Sequence, residues 1–184
     1  MTKAQLLVCG LALCLIPASA AAQARMPHTG ASAVGGDVGI VLPQADALST
    51  GPVLEGFYEY YFTARESLRV GVGWLNPKWD TEESDSLRQI RIAGDLVRNW
   101  EGGTVHPFVG AGLGMYILQF RDNGENLGDS ETKFGGSIFG GVELFTSDTF
   151  AVKGEARYHI VSRSDRFDVN PSGLALTIGV KSYF

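Results

Sequence analysis

The final stretch of the chain reads Ser172-Gly-Leu-Ala-Leu-Thr-Ile-Gly-Val-Lys-Ser-Tyr-Phe184. Large apolar residues occupy its even positions from Leu174 to Val180 and again at Phe184, whereas small or polar residues occupy the odd positions up to Lys181. A period of two is typical of a β-strand with one apolar face. Either protein or lipid has to cover that face, and the rest of the sequence indicates which.

The amino-terminal segment has the features of a secretory signal peptide. Lys3 precedes an apolar run from Leu6 to Ile16, and small residues dominate positions 18–24. The apolar run is shorter than the roughly 20 residues that a membrane-spanning helix needs. We therefore expect export of the chain, with cleavage after Ala24 and, as the alternative, after Ala20.

Both cysteines of the chain, Cys9 and Cys14, lie inside the predicted signal peptide. The mature chain then has no disulfide, which argues against a small disulfide-stabilised secreted domain. Lipidation at Cys14 is disfavoured because the preceding Leu13 is not small. Without the signal peptide, 14 basic and 20 acidic residues remain. This modest negative charge, without basic clusters, indicates no nucleic-acid partner.

Eight alternating segments of roughly ten residues follow, and turn-rich stretches separate them. We predict strands at 33–42, 53–62, 68–75, 87–97, 105–120, 132–145, 150–161 and 172–184. The connections after the odd-numbered strands are long and polar, at 43–52, 76–85, 121–131 and 162–171, whereas those after the second and sixth strands are short. Transmembrane β-barrels show this alternation, with short periplasmic turns and longer outer loops.

The two faces of the predicted strands differ in charge. One face is almost free of charge at mid-strand. The other carries six acids and five bases, namely Asp37, Glu55, Glu59, Arg69, Arg91, Asp95, Glu143, Lys153, Glu155, Arg157 and Lys181. A soluble sandwich or lipocalin-like barrel would use the charge-free face as its core, and this fold is the alternative.

Strand length and aromatic placement favour lipid as the cover. A tilted strand needs about 9–11 residues to cross the hydrocarbon, as these segments have. Aromatic girdles mark the two interfaces of such barrels. The predicted girdles are Phe62, Trp100, Phe145, Phe150, Tyr183 and Phe184 at the short-turn end, and Trp74, Trp79 and Phe120 at the other.

These patterns predict an all-β fold, an eight-stranded antiparallel up-and-down transmembrane β-barrel. The predicted organisation is a signal peptide at 1–24, a periplasmic linker at 25–32 and the barrel at 33–184. Because hydrocarbon offers no partner to backbone groups, the last strand has to pair with the first.

Eight strands enclose a lumen that side chains fill, with interior glycines making room for Arg, Tyr and Phe. Buried charges have to be paired. The eleven charged residues are therefore expected to plug the lumen, with pairs such as Glu59–Arg69 and Glu143–Lys153. We expect no continuous pore.

The stretch Val105-His-Pro-Phe-Val-Gly-Ala-Gly-Leu-Gly-Met-Tyr116 and the final strand resemble the small outer-membrane β-barrel proteins of the OmpX/Ail and OmpA-barrel type. The resemblance covers essentially the whole mature chain. It implies a location in the cell outer membrane and insertion by the outer-membrane assembly machinery, which in this group reads a carboxy-terminal strand ending in Phe. Tyr183 and Phe184 are then the expected assembly signal, although Ser182 stands where such strands often carry an aromatic residue.

A catalytic site is not expected from the histidines. Lipid A deacylases of eight-stranded fold use a His/Ser/acid triad, in which nucleophile and base must be within hydrogen-bond reach. Here His159 and Ser162 are three residues apart and on opposite faces of the strand. We expect His159 to pack in the lumen.

The outer loops supply the remaining candidate sites. The acidic stretch 79–85 could bind a divalent cation through oxygen ligands, but it lacks the spacing of a defined calcium loop, so a solvated face is preferred. Arg163 and Arg166 are candidate contacts for lipopolysaccharide phosphates, whose geometry suits arginine. We expect no cofactor and no metal.

Three functions remain open from the sequence. The preferred one is a non-catalytic barrel that supports the outer membrane or presents binding loops to an extracellular ligand. The alternatives are a narrow channel for small solutes and, less favoured, a lipid A-modifying enzyme. The expected partners are outer-membrane lipid, lipopolysaccharide and the assembly machinery.

Overall fold

The computed structural model describes residues 27–79, 85–100, 103–122, 125–126, 128–164 and 168–184. Eight long strands dominate it: β1 (Ser32–Pro43), β2 (Gly51–Tyr61), β3 (Glu66–Leu75), β4 (Ser86–Asn99), β5 (Val105–Asp122), β6 (Glu131–Ser147), β7 (Phe150–Val161) and β8 (Gly173–Tyr183). Three two-residue strands lie in the loops, at Leu48–Ser49, Lys78–Trp79 and Glu125–Asn126. Among the described residues no helix is long and apolar enough to cross a membrane.

Each long strand pairs antiparallel with the next one in sequence. The sheet closes because β1 also pairs with β8, from Ala33 opposite Tyr183 to Pro43 opposite Gly173. The predicted fold, an eight-stranded antiparallel up-and-down barrel, is confirmed. The short connections lie at one end, here called the turn end, and the long connections lie at the other, the loop end.

The strand boundaries differ from the predicted ones by one or two residues. The strands β4, β5 and β6 are longer than expected, and β5 continues to Asp122. Ser32, predicted as linker, is the first residue of β1. Residues 27–31 approach the turn end, where the Gly30 amide donates to the Tyr61 carbonyl over 2.8 Å. The predicted signal peptide and residues 25–26 lie outside the described residues.

Burial alternates along the strands as the period of two predicts. Along β2 every odd residue is buried and every even residue is exposed. The exposed positions carry large apolar side chains, including Leu113 at 77 %, Phe134 at 73 % and Ile178 at 67 % exposure. Because the apolar face points outward, the barrel presents an apolar wall around a polar interior.

At the loop end the girdle prediction is wrong for Phe120, which stands opposite the buried Leu87 on the inward face. At the turn end it is correct for some aromatic residues and wrong for two. Phe62, Trp100 and Phe184 point outward at the turn end and are exposed. Phe145 and Tyr183 instead point inward, and their stacked rings lie 5.2 Å apart between centroids. The physical reason is strand parity, because each neighbours an outward-pointing residue and so occupies the opposite face.

Aromatic rings in the lumen lie against glycines of neighbouring strands. Phe139 stands opposite Gly110, and Phe108 stands opposite Gly141. A Cβ atom added at Gly110 would lie 2.2 Å from the Phe139 ring, and one added at Gly141 would lie 2.6 Å from the Phe108 ring. These glycines are therefore required by close approach of a side chain, which is one use of glycine inside a strand.

The Gly110–Phe139 contact gives a test of lumen packing. Gly110→Ala is expected to lower the free energy of unfolding by about 1–3 kcal/mol, because the added methyl group overlaps a ring in a filled interior. Gly94→Ala is the matched control, since a Cβ there meets no atom within 4 Å. The control is expected to change stability by no more than about 0.5 kcal/mol. Urea titration of the refolded barrel measures both, and equal losses would contradict the packing account.

Candidate functional site: the charged lumen

The interior of the barrel carries a large set of charged side chains. The eleven residues predicted for the lumen all point inward, and none is more than 8 % exposed. Seven strands contribute them, with β5 supplying aromatic residues and glycines at the same depth instead. Removal of charge from water is costly unless each group finds partners of opposite sign. The partners of these side chains therefore decide whether the interior is stable.

Glu155 on β7 lies at the centre of the ion pairs. Its Oε2 atom is 2.8 Å from Arg69 Nη1 and 2.9 Å from Lys153 Nζ. Its Oε1 atom is 2.8 Å from Arg157 Nη2 and also accepts a hydrogen bond from Arg157 Nε over 2.8 Å. One carboxylate thus compensates three cations from two strands.

Towards the turn end, the ion pairs continue through β2, β3, β6 and β8. Arg69 Nε lies 2.9 Å from Glu59 Oε2, and Lys181 Nζ lies 2.9 Å from the same oxygen. Lys181 Nζ is also 2.8 Å from Glu143 Oε1. Each of the two carboxylates also accepts a hydrogen bond from a hydroxyl group. Ser67 donates to Glu59 and Tyr183 donates to Glu143, each over 2.5 Å.

Towards the loop end, the ion pairs continue through β4 and β2. Arg157 Nη1 lies 2.8 Å from Asp95 Oδ2, and Arg91 Nη2 lies 2.6 Å from Asp95 Oδ1. Arg91 Nη1 is 3.2 Å from Glu55 Oε1. On the β1 side, Lys153 Nζ is 2.9 Å from Asp37 Oδ2.

All eleven residues therefore belong to one contiguous set of ion pairs, here called the lumen network.

Of the two specific ion pairs expected from sequence, one is present and the other is not. Glu59 and Arg69 are in contact, as given above. Glu143 and Lys153 face each other across β6 and β7 in register, but their charged atoms bind other partners. Lys153 reaches Asp37 and Glu155, and Glu143 binds Lys181. The expected Glu143–Lys153 pair is wrong because inward side chains converge on the barrel axis, where partners on more distant strands are within reach.

Aromatic rings cover the cations of the lumen network. The Arg157 guanidinium carbon lies 3.9 Å from the centroid of the Phe139 ring, and the Arg69 carbon lies 4.6 Å from that of Phe57. Lys153 Nζ is 4.8 Å from the Phe57 centroid. A cation over an aromatic face gains electrostatic stabilisation that is larger in a desolvated site. Sequence reasoning missed this role, although the inward parity of Phe57 and Phe139 was apparent.

Apolar clusters lie at both ends of the charged region. At the turn end, Tyr61, Phe145 and Tyr183 pack together with small alanines. At the loop end, Leu48 and Val169 fold in from two loops and join a cluster of strand residues, which are Leu87, Tyr116, Leu118 and Val161. A second cluster at the loop end contains Val41, Val53, Leu75 and Ala175.

The histidine and serine considered for a triad lie on opposite faces of the wall and have different hydrogen-bond partners. His159 is buried in the lumen, and its Nδ1 atom lies 3.0 Å from the Tyr116 hydroxyl. Ser162 is exposed, and its hydroxyl donates to the Phe134 carbonyl over 3.2 Å. Each of the two side chains therefore forms its hydrogen bond with a third residue and not with the other member of the pair.

Some of the candidate loop residues lie among the described residues and others lie outside them. Arg163 is exposed and its Nη2 atom lies 2.6 Å from Asp168 Oδ1, whereas Arg166 lies outside the described residues. Of the acidic stretch 79–85, residues 80–84 also lie outside them. Within the part of the chain that the structure describes, no three His, Cys, Asp or Glu side chains are grouped so that they could hold a metal ion.

A family model described as "Outer membrane protein beta-barrel domain" matches residues 10–184. The chain belongs to this family. It is accordingly an integral protein of the outer membrane, and the resemblance seen in its sequence is confirmed. No curated protein matches the sequence significantly.

Solved structures of small outer-membrane barrels share the fold. Neisserial surface protein A is 17 % identical with a TM-score of 0.70, and the alignment covers 84 % of this chain and 99 % of that one. OprG from Pseudomonas aeruginosa is 14 % identical with a TM-score of 0.62, covering 86 % and 98 %. Ail of Yersinia pestis is 16 % identical with a TM-score of 0.56, covering 85 % and 99 %, and has been crystallised with the heparin analogue sucrose octasulfate. These identities establish the fold alone.

The lumen network gives a stability prediction for this outer-membrane barrel. Glu155→Gln is expected to lower the free energy of unfolding by about 3–5 kcal/mol, because three buried cations lose their shared carboxylate. Glu66→Gln is the matched control, since Glu66 forms an ion pair with Arg98 in which both side chains are exposed. That change is expected to cost no more than about 1 kcal/mol. Tryptophan fluorescence during urea unfolding in vesicles reports both values. Similar losses of stability in the two variants would show that the central position of Glu155 in the lumen network is unimportant.

Proposed function

We propose that this protein is a non-catalytic outer-membrane barrel with a closed lumen, which supports the membrane and presents its loops to the outside. The observation that carries the proposal is the contiguity of the lumen network, in which eleven buried charges bind one another across the barrel. An eight-stranded barrel has an interior that side chains can fill. Here the fillers are ion pairs held in place by aromatic rings.

The energetics of the lumen network oppose ion permeation. A permeating ion would have to displace partners from buried ion pairs, and breaking such a pair costs about 3–5 kcal/mol. It would also have to pass the apolar clusters at both ends, where Leu48 and Val169 face Tyr116 at the loop end. A closed barrel is therefore favoured over a solute channel.

A lipid-modifying enzyme is the weakest of the three functions. It would need a nucleophile activated by a neighbouring base. His159 instead binds Tyr116 inside the lumen, and Ser162 binds a backbone carbonyl. Neither arrangement activates the serine.

Conductance across planar bilayers tests the closed lumen. The wild-type protein is expected to give no stable openings. Arg91→Ala with Asp95→Ala removes opposite charges together, so the variant keeps the net charge of the lumen, and it is expected to produce small transient openings.

The matched control is Ser32→Ala with Tyr58→Phe, which removes an exposed hydrogen-bonded pair from the outer wall. It should stay as silent as the wild type. Large stable openings of the wild-type protein would overturn the closed lumen.

The charge of the loops favours a cationic extracellular ligand. The ranges 43–52, 76–85, 121–131 and 162–171 contain eleven acidic and four basic residues. A polyanion of the kind found with Ail would meet net repulsion from these loops. We propose instead that the loops bind a ligand of positive charge, because opposite charge steers and strengthens association.

Retention on charged resins tests the loop proposal. The detergent-solubilised protein is expected to pass a heparin resin and to be retained on a polylysine resin, with retention falling as salt screens the charges. Changing Asp80, Glu82 and Glu83 to their amides should weaken retention several-fold. Asp148→Asn, in the exposed turn between β6 and β7, is the control and should change it little. Retention on heparin alone would contradict a cationic ligand.

Two further roles remain proposals. We propose that Phe184 is the main part of the assembly signal, because it is 70 % exposed on the outer wall whereas Tyr183 faces the lumen. We also propose Arg163 and Arg166 as lipopolysaccharide contacts. For Arg163, a lipid phosphate would have to compete with the exposed Asp168 carboxylate, and exposed ion pairs are weak.

A further inference from the structure

One ion pair lies on the outer wall of the barrel near the turn end. Glu66 on β3 stands opposite Arg98 on β4, and Arg98 Nη1 lies 2.6 Å from Glu66 Oε1. The two side chains are 51 % and 41 % exposed for Arg98 and Glu66 respectively. The other outward positions on the turn-end halves of the described strands are uncharged. Charged groups on a lipid-facing surface are costly and usually functional.

The depth of this pair places it among lipid headgroups. Along β4 the next outward residue towards the membrane centre is Leu96, which is 62 % exposed. In the other direction lies Trp100, and Phe62 lies near the same end of β2, with 42 % and 43 % exposure. Amphipathic and aromatic side chains of this kind mark the membrane–water interface. Since short turns are periplasmic in these barrels, the interface belongs to the periplasmic leaflet.

An apolar groove runs from the ion pair towards the membrane centre. It has a volume of about 480 Å³, and its walls include Phe62, Leu96 and Val109 together with the pair itself. Ala111 stands opposite Leu96, and Gly140 stands opposite Val109. Because these two residues are small, the outer surface is recessed between the larger side chains around them. The groove is therefore open to the bilayer along its length.

We propose that this groove binds one phospholipid of the periplasmic leaflet whose headgroup carries both a phosphate and a primary ammonium group, as phosphatidylethanolamine does. Arg98 donates hydrogen bonds to the phosphate, since a guanidinium matches its geometry. Glu66 accepts hydrogen bonds from the ammonium group, and an acyl chain lies along Leu96 and Ala111. The headgroup and the Glu66–Arg98 pair then form alternating charges.

Charge complementarity decides between lipid classes at this site. A purely anionic headgroup such as phosphatidylglycerol would bind Arg98 but meet repulsion from Glu66. A choline headgroup has no N–H to donate to Glu66. The zwitterion with a primary ammonium group satisfies both side chains. The inference rests on the outer wall of the barrel and is independent of the proposed closed lumen.

Native mass spectrometry of the intact mature protein tests the site. The protein, in mild detergent, is titrated with phosphatidylethanolamine, phosphatidylglycerol or phosphatidylcholine, and the bound fraction gives each affinity. Phosphatidylethanolamine is expected to bind tightest. Arg98→Gln is expected to weaken it about tenfold, as loss of a charge-assisted hydrogen bond does. Arg98→Lys, which keeps the charge, should recover part of the loss.

Further variants separate the headgroup from the groove. Glu66→Gln is expected to abolish the preference for phosphatidylethanolamine over phosphatidylglycerol without weakening phosphatidylglycerol. Ala111→Leu fills the groove and should weaken every lipid. Gly94→Leu fills a second outer groove that includes Ile92 and Leu113, and should leave the preference intact. Equal binding of the three lipids by the wild type, or no change in Arg98→Gln, would mean unspecific annular lipid and overturn the site.

Discussion

Closure of the sheet is the constraint on which the rest of the structure depends. In hydrocarbon each unpaired backbone group costs several kcal/mol, so β8 has to pair with β1. Pairing continues to the last residue, where the amides of Ser32 and Phe184 each donate to the other residue's carbonyl over 3.0 and 2.9 Å. With eight strands, closure fixes a narrow lumen. Every inward side chain then competes for the same small space, which explains why glycine faces Phe139 and why long charged side chains meet across the axis.

The lumen network is not electrically balanced by its own members, because six acids face five bases. At the turn end, hydroxyl groups donate hydrogen bonds to carboxylates and so compensate for the excess of one acid over the bases. Tyr183 donates to Glu143 and Ser67 donates to Glu59, while Lys181 reaches both carboxylates. A hydrogen bond to an ionised acceptor contributes about twice as much as a neutral one. The extra carboxylate is thus stabilised by oriented dipoles, which explains why polar Tyr183 faces inward beside an outward Phe184.

The sequence predicted the fold because strand periodicity, loop alternation and the charged face all follow from local spacing. It predicted the inward charged residues for the same reason, since parity alone assigns a face. Parity also places Phe145 and Tyr183 on the inward face, as the structure shows. Their location at strand ends suggested a girdle instead. The ion pair of Lys153 with Asp37, on a different strand, could not be read from spacing. Register sets which residues are neighbours on a wall, whereas side-chain length decides which atoms meet across the lumen.

The contrast between Glu155 and Glu66 shows how position in a barrel changes the meaning of an ion pair. Glu155 is buried among three cations, so its charge compensates theirs and contributes strongly to the stability of the interior. Glu66 forms its ion pair with one cation, Arg98, on the outer wall, where both side chains remain exposed. An exposed pair contributes little to stability. A charged pair among the uncharged outward positions of the turn-end half therefore has no folding explanation, and recognition of a charged headgroup is the role that its depth and surroundings allow.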